Sequence, residues 1–538
     1  MDALGFPATR SKTPGGAEGG AKPARAGTRT TSRRALLGAT LAAGSAALAA
    51  ACGYAPVDGI APARSYRAPR PAKLSIQLEG IWDTQRVLRE KLFPVFEQRH
   101  PGISVTLTAG AVDLPQLRRQ AASGRMPDVL LFGASQVPAV AEGKLAVPLD
   151  GRIATWGHLG DFLPASLVSS QWGGRQWGLP LTVEVRMHLW RKGILENAGF
   201  DRAPGTWDEV AEAVRRSVLV ERGSIVREGY PRPDGWLEFS AALATLGKSF
   251  FSAASNAPSA PPGHATAAPS QTAGAATPAA PRPAQVDIAG PEGMAALNYL
   301  LSVFKATRPA GVPPLRGRNQ AAYPFATGAL AHTVDTAAPL RALEQTYPAQ
   351  MADVLIGDPP VPGVPGVPGA AAGAALETTP APTSTPTAAG KAPNGQTAPA
   401  SKIRPVTLLS SEWLGVGSQS PSQDQAWRLI QYLLEPASLA AVNETKSSRA
   451  PRKSLSAARY LRAPHLERMV ALSDRFGQPV PRVPDQAYFR DTLRSMAEEV
   501  FAGRATVEAA LAIAARQLQT ETDKLGVSGF WSEADDVL

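Results

Sequence analysis

Residues 73–107, KLSIQLEGIWDTQRVLREKLFPVFEQRHPGISVTL, decide the fold class. Leu74, Ile76 and Leu78 alternate with other residues in the manner of a half-buried strand. The apolar residues of 84–99 then recur at helical spacing, with a kink expected at Pro94. The segment therefore predicts a strand followed by a helix.

The same alternation continues downstream. A second apolar strand is predicted at 103–107, a short helix at 114–123 and a continuously apolar third strand at 128–132. Strands that alternate with helices favour an α/β fold with a parallel sheet. The chain beyond Cys52 is long enough for two or three globular lobes.

Upstream of this region lies the pattern of an export signal. Arg33 and Arg34 stand directly before an apolar segment, 35–51, which ends at Cys52, the only cysteine of the chain. This order predicts a twin-arginine signal and a lipid-attachment cysteine. A membrane-spanning anchor is the alternative, but the segment is short and rich in small residues that insert weakly. Cys52 could also stay unmodified, since Ala49 occupies the usual leucine position.

The charge of the chain excludes some partners. The formal net charge is +10, and half of it, +5, lies in residues 1–51, which hold seven basic and two acidic residues. No later run of Lys and Arg resembles a nucleic-acid footprint, so we expect no nucleic acid partner. A single cysteine allows no disulfide within the chain.

Three segments have the composition of disordered chain. Residues 52–72 are rich in Pro and Ala and predict a tether, while 252–284 and 359–401 consist almost wholly of Ala, Pro, Gly, Thr and Ser. Such segments bury too little apolar surface to offset chain entropy. We expect the latter two to be disordered insertions.

Two helix starts carry the capping-box pattern. Thr206 and Glu209 form one, and Ser420 with Gln423 forms the other, each predicted to begin a helix. A further stretch, 485–525, is predicted to be mainly helical.

Seven segments, in order, resemble the extracellular solute-binding proteins of ABC importers, the family that includes maltodextrin-binding protein. The most specific is Pro204-Gly205-Thr206-Trp207-Asp208-Glu209. His332 departs from the family pattern, where methionine is usual. The remaining matches are 92–105, 126–129, 145–149, 174–192, 325–331 and 413–435.

The resemblance implies a two-lobe periplasmic-binding-protein-like fold, in which each lobe is a mostly parallel sheet flanked by helices. Hinge crossovers are expected near 181–185 and near 334–337. The implied organisation is a signal peptide (1–51), a tether (52–72), lobe 1 (73–182), lobe 2 with return helices (183–330), a hinge return completing lobe 2 (331–455) and C-terminal helices (456–538).

Four candidate ligand contacts follow predicted strands. Trp82 and Asp83 come after the first strand, and Ser135 and Gln136 come after the third. Binding sites of open α/β sheets lie at the carboxyl ends of strands. An indole can stack on a sugar, and polar side chains can bond its hydroxyl groups. The alternative roles are a surface aromatic for Trp82 and helix caps for Asp83 and Ser135.

Three further contacts are implied by the resemblance. Glu184 and Asp335 lie at the two expected crossovers, and Trp413 matches a tryptophan that often faces sugar in this family. Glu184 could instead form a hinge ion pair with Arg186, and Trp413 could pack in the core.

We therefore predict a membrane-tethered, extracytoplasmic receptor that closes on a carbohydrate and presents it to ABC permease subunits as a monomer. Another solute (glycerol phosphate, a polyamine or an anion), a non-binding sensor lipoprotein and an exported α/β enzyme are the alternatives. The six histidines lack metal-ligand spacing, and the sequence has no phosphate-loop or nucleophile-elbow motif. We expect no catalytic residue, no cofactor and no metal.

Overall fold

The computed structural model describes residues 71–78, 82–109, 114–252, 284–307, 322–363 and 403–525. These residues belong to a single compact unit. The predicted signal and nearly all of the predicted tether and insertions lie outside the described residues. Within the described ranges, no helix combines the length and apolar character that crossing a membrane requires.

The strands fall into two main sheets and two hairpins. In chain order they are β1 (Ala72–Leu78), β2 (Ile103–Ala109), β3 (Val129–Gly133), β4 (Gln171–Trp172), β5 (Arg175–Gln176), β6 (Leu179–Val185), β7 (Met187–Arg191), β8 (Leu219–Glu221), β9 (Ser224–Arg227), β10 (His332–Asp335), β11 (Val354–Gly357), β12 (Thr407–Val416) and β13 (Gly477–Pro479).

The helices cover and join the sheets. They are α1 (Trp82–Val87), α2 (Phe93–Arg99), α3 (Leu114–Ala122), α4 (Val137–Glu142), α5 (Asp150–Trp156), α6 (Pro164–Val168), α7 (Lys192–Asn197), α8 (Trp207–Ser217), α9 (Leu237–Thr245), α10 (Pro291–Ala306), α11 (Ala322–Ala326), α12 (Ala338–Thr346), α13 (Gln423–Leu433), α14 (Pro436–Lys446), α15 (Pro464–Phe476), α16 (Gln486–Phe501) and α17 (Val507–Lys524). A π-helical turn, Leu88–Leu92, joins α1 to α2 just before Pro94.

The larger sheet has six strands in the order β13-β12-β3-β1-β2, and β6 also pairs with β12. β1 runs parallel to β2 and β3, with Ile76 opposite Leu107 on one side and Val129 on the other. The three strands expected from the alternating and apolar segments are present at these positions. β12 runs antiparallel to β3 and β6, so the sheet is mixed.

The smaller sheet corrects the expectation that each lobe is a mostly parallel sheet. Its order is β10-β7-β11, and β7 is antiparallel to both neighbours. The hydrophobic pattern of these short strands does not show whether neighbouring strands run parallel or antiparallel, because side chains alternate in the same way in both.

The described strands place two passages of the chain between the two main sheets. β6 ends at Val185 and β7 begins at Met187, so the first passage is at Arg186, directly after the expected range. The second was expected near 334–337, and this is wrong. β10 and β11 both pair with β7, so the chain leaves the smaller sheet only after Gly357 and reaches the larger one at Thr407.

Separate apolar clusters lie beside the sheets. The helices α13 and α14 contribute Leu429, Ile430 and Leu439 to the core against β1 and β2. The helices α9, α10, α16 and α17 pack with one another through residues that include Phe239, Leu297 and Leu493. Burial of apolar surface holds these layers together.

The two predicted capping boxes have different outcomes. Thr206 caps α8 by accepting a hydrogen bond from the backbone N–H of Glu209, and the Glu209 carboxylate accepts in return from the Thr206 N–H, as expected. Ser420 is not a cap. Its hydroxyl group donates to Asp128 at 2.6 Å, and α13 begins at Gln423. The Ser420 oxygen accepts from the Ser422 N–H at 3.1 Å, before the first residue of the helix.

Candidate functional site

A cavity of about 360 Å³ lies where the chain first passes between the sheets. Its walls come from β7 and β10 of the smaller sheet, from helices α8, α9 and α10, and from the start of β12. Its volume is at the small end of the range of about 300–1,000 Å³ that is typical of small-molecule sites.

Arg186 lines this cavity at the passage itself. Its backbone is held on both sides by β12: its N–H donates to the Leu408 carbonyl at 3.0 Å, and its carbonyl accepts from the Thr407 hydroxyl at 2.6 Å. The Nε atom of its side chain is buried and has no hydrogen-bond partner among the described residues.

Two histidines stand side by side on the cavity wall. His188 on β7 and His332 on β10 are diagonal neighbours on the two strands, with Nδ1 of His188 3.2 Å from Nε2 of His332. Trp190 stacks on the His332 ring at a centroid distance of 3.7 Å. Burial lowers the pKa of His188 to about 4 and lowers that of His332 well below its usual value, so both rings are neutral at pH 7.

An aromatic pair forms another part of the wall. Trp207 stacks on Tyr299 at a centroid distance of 4.6 Å, and its indole N–H donates to the Pro360 carbonyl at 3.1 Å. The capping box at Thr206 fixes the start of the helix that carries Trp207. Such rings offer the flat apolar surface on which a sugar ring can pack.

The segment between Tyr230 and Glu238 closes a third side. The half-buried Glu238 carboxyl group accepts hydrogen bonds from the Tyr230 hydroxyl and the Asp234 N–H. Burial raises the pKa of Glu238 to about 8. Asp234 is in turn ion-paired with Arg494 of α16 at 2.7 Å, so a C-terminal helix holds the cavity rim in place.

A group of charged side chains adjoins the cavity at the same passage. Burial raises the pKa of Glu184, and the charges of Lys446 and Arg186 oppose that shift while Glu412 and Asp335 add to it. Lys446 is ion-paired with Glu412, which also accepts from the Thr182 hydroxyl at 3.1 Å. Residues of both sheets therefore meet here.

The structure brings together two of the residues expected to contact a ligand. Asp335 lines the cavity, and Glu184 on β6 lies within electrostatic range of it and of Arg186. Burial raises the pKa of Asp335, although its carboxylate accepts from the Thr336 N–H at 2.8 Å.

Two further predicted contacts, Asp83 and Gln136, do not line the cavity. Asp83 on α1 is 3.4 Å from Arg341 and 3.2 Å from Arg86, outside the cavity lining. Gln136 accepts a hydrogen bond from the Gly133 N–H at 3.0 Å. Trp82 begins α1 and Ser135 lies in a 3₁₀ turn, but their side chains are outside what the structure describes.

Trp413 occupies the interior of the larger sheet. Its side chain is fully buried, in one cluster with Phe132 and Trp172, and it does not line the cavity. Its contact with a ligand remains a prediction.

The predicted contacts did not include Arg186, His188, Glu238, Tyr299 or His332. The available signal was the placement of Arg186 and His188 next to Glu184, on a segment that otherwise reads as a buried strand. Charged and polar residues are rarely buried without a partner or a function. In the part of the chain described here, no three His, Cys, Asp or Glu side chains are grouped so that they could hold a metal ion.

Comparison with known proteins adds a family and a fold. The model of a family described as bacterial extracellular solute-binding protein matches residues 82–440. A solute-binding protein of an ABC transporter from Thermotoga lettingae, solved with α-D-tagatose, has a TM-score of 0.60 and 18% identity over 84% of this chain and 100% of its own.

Two further solved structures are similar. T. maritima MalE3 with maltose has a TM-score of 0.58 and 19% identity over 84% of this chain and 100% of its own. The sugar-binding protein MalE from Xanthomonas citri has a TM-score of 0.60 and 17% identity over 84% of this chain and 98% of its own. The shared architecture is the two-lobe α/β fold of periplasmic binding proteins, which was the fold class expected.

Proposed function

The chain belongs to the bacterial extracellular solute-binding protein family, and we propose that it is the carbohydrate receptor of an ABC importer. Membership of this family makes it a solute-binding protein that acts outside the cytoplasm. The carbohydrate is the proposed part.

The observation that carries the proposal is the chemistry of the cavity wall. It combines a stacked Trp207–Tyr299 pair with polar residues that line a confined space, among them Arg186 and Asp335. A carbohydrate needs this combination, since its ring has apolar faces and its edge carries hydroxyl groups. The Thermotoga lettingae relative was solved with α-D-tagatose and T. maritima MalE3 with maltose, which supports a sugar for this chain.

The position of the cavity supports capture by hinge closure. Arg186 lies at the passage between the sheets, and the nearby charged group includes Glu184 and Glu412 of the larger sheet and Asp335 of the smaller one. A ligand that contacts both lobes binds the closed state more tightly and shifts the population towards it. Glu184 and Asp335 are therefore our proposed contacts at the hinge, and Trp82, Asp83, Ser135, Gln136 and Trp413 remain predicted ones.

The proposed receptor is tethered to the membrane. Twin arginines before an apolar segment and Cys52 at its end support export and lipid attachment of that cysteine. The anchor would hold a monomeric receptor beside its permease subunits.

Replacing Cys52 by Ser should then move the protein from the membrane fraction to the soluble fraction. A Cys52→Ser variant that stays in the membrane fraction would contradict lipid attachment.

Titration of the purified full chain with neutral sugars, followed by tryptophan fluorescence and calorimetry, tests the proposed function. The panel is D-tagatose, maltose and mannobiose, with glycerol 3-phosphate and spermidine for the alternatives. We expect a neutral sugar to bind and to change the fluorescence, because Trp207 lines the cavity.

A pair of variants locates the signal. Trp207→Phe should abolish most of the fluorescence change, whereas Trp156→Phe should leave it intact, because Trp156 packs near Phe162 and Trp427 on the other sheet. Binding of only the phosphate or only the polyamine would overturn the carbohydrate assignment.

A further inference from the structure

We infer that Arg186 is the anchor of the ligand and that the cavity selects an uncharged carbohydrate of one or two rings. This inference rests on the proposed function and adds to it the class of sugar and the residue that selects it.

Arg186 is placed rigidly but left without a partner. Its peptide group is bonded to Thr407 and Leu408 on β12, so its side chain leaves a fixed backbone at the cavity wall. Its Nε is buried and unpartnered, and within the described ranges its guanidinium group makes neither a hydrogen bond nor an ion pair. Burial of a polar group without a partner is unfavourable.

Arg191, at the other end of β7, shows how a structural arginine is satisfied in the same sheet. Its guanidinium group is ion-paired with Asp353 at 2.6 Å and donates to the carbonyls of Phe325 and Ala326 at 2.8 and 3.0 Å. Among the described residues, the guanidinium group of Arg186 has no comparable hydrogen-bond or ion-pair partners. Because Arg186 lines the cavity, an acceptor on a bound ligand would bond its terminal guanidinium nitrogens rather than the enclosed Nε.

The charges around Arg186 decide which acceptor fits. Its charge acts on three carboxyl groups, those of Glu184, Glu238 and Asp335, although none forms an ion pair with it among the described residues. Glu238 is protonated at neutral pH, but Glu184 and Asp335 in their charged forms would repel a phosphate or carboxylate ligand, and Arg186 would repel an ammonium ligand. A hydroxyl group avoids both penalties, because it accepts from Arg186 and donates to Asp335.

His332 gives a second, independent indication. Its Nδ1 is buried without a partner in the described chain, its ring is almost fully buried and it lines the same cavity. A neutral imidazole nitrogen can donate to or accept from a hydroxyl group, depending on its tautomer, but it has no charge with which to hold an anion. The polar groups of the cavity therefore suit hydroxyl groups.

The size of the cavity limits the ligand. About 360 Å³ accommodates one or two sugar rings. Longer oligosaccharides would extend outside the cavity and add contacts beyond it.

Calorimetry on the full chain tests this inference. The ligands are D-tagatose, maltose and mannobiose as neutral sugars, D-glucuronate and glycerol 3-phosphate as anions, and glucosamine and spermidine as cations. We expect the tightest binding for a neutral sugar. Arg186→Met should weaken that binding by about 10- to 100-fold, because a charged hydrogen-bond donor is lost. Arg216→Met, an exposed change on α8, serves as the control and should stay within about twofold.

The thermal stability of the ligand-free protein separates an anchor from a structural arginine. Arg186→Met should lower Tm by less than about 2 °C, whereas Arg191→Met should lower it by about 5 °C or more, since it breaks a buried, fully paired group. Equal losses for the two variants would show that Arg186 is structural and would overturn the inference.

The binding results also keep the two proposals apart. If a neutral sugar binds and Arg186→Met binds it as tightly as the wild type, the anchor is wrong and the proposed function stands. Tightest binding of D-glucuronate or glucosamine would overturn the uncharged ligand but leave a carbohydrate receptor. Binding of only glycerol 3-phosphate or spermidine, or of nothing in the panel, would overturn both.

Discussion

Glu238 is a half-buried carboxyl group on the cavity wall. Burial raises its pKa to about 8. The folded protein then holds a proton that the unfolded chain releases near its ordinary pKa of 4.5. The stabilisation from this proton is fully present below about pH 4.5 and is lost as the pH rises through about 8.

Replacing Glu238 by Gln should therefore make the stability of the protein less dependent on pH. Gln keeps an acceptor for the Asp234 N–H and cannot ionise, so the gain in stability over the wild type should grow from pH 5 to pH 8.5. Denaturant unfolding across this range measures it. Glu212→Gln is the control, because hydrogen bonds from Arg215 and Arg216 lower the pKa of Glu212 to about 2 and its contribution changes only in acid. A constant difference between Glu238→Gln and the wild type would contradict the assignment.

Single residues show where sequence reasoning about the site reaches its limit. Glu184 and Asp335 were selected from a resemblance, and the structure places them within electrostatic range of each other. Trp413 was selected in the same way and lies in the core of the larger sheet. The strands that carry these residues are mainly apolar with a few polar positions. That pattern does not show which face of a strand meets a cavity. The lack of a hydrogen-bond partner is what distinguishes Arg186, and it can be seen only from the coordinates of the neighbouring residues.

The first turn of α8 joins a local motif to the site. Thr206 caps this helix, and Trp207, the next residue, lines the cavity and bonds Pro360. We expect Thr206→Ala to lower the free energy of unfolding by about 1 kcal/mol. Because the cap also fixes Trp207, sugar binding should weaken along with stability.

Thr506→Ala provides the matched control. Thr506 caps α17 by the same bond, with its hydroxyl oxygen 3.2 Å from the Ala509 nitrogen. It should lower stability by a similar amount and leave sugar binding unchanged. Chemical unfolding and calorimetry of both variants make the comparison. If the two variants bind sugar equally tightly, the cap at Thr206 does not affect the binding site.

Elements with strong local signals could be predicted from the sequence, and those that depend on distant partners could not. Alternation and apolar runs located β1, β2 and β3, and Thr206 marked the start of α8. The motif at Ser420 had the same form, yet the hydroxyl bonds Asp128, which is far away in sequence. The four-residue motif itself does not show such a distant contact.

Arg341 connects the two halves of the molecule. It lies on α12, which follows β10 of the smaller sheet, and it donates to the Glu444 carbonyl at 2.8 Å and to that of Thr445 at the end of α14. It also lies 3.4 Å from Asp83 on α1. The helix α14 packs on the larger sheet, so these bonds run between the layers of the two sheets.

Replacing Arg341 by Met should loosen this connection. Hydrogen–deuterium exchange of the last turn of α14 should become about fivefold faster, for a loss of about 1 kcal/mol of local protection. Arg490→Met on α16 is the control, because Arg490 is ion-paired only with its exposed neighbour Asp491 among the described residues. Unchanged exchange in Arg341→Met would show that the connection does not restrain the helix.

The pairing of β12 has a consequence for how the chain reaches its folded state. This strand is hydrogen-bonded to β3, β6 and β13, and Trp413 lies opposite Phe132, which is far earlier in the sequence. A ribosome must therefore complete residues 407–416 before the middle of the larger sheet can close. Until then β3 and β6 have open edges that can pair with other chains. Contacts between such distant segments form slowly, so we expect these edges to need protection from other chains while the protein is being made.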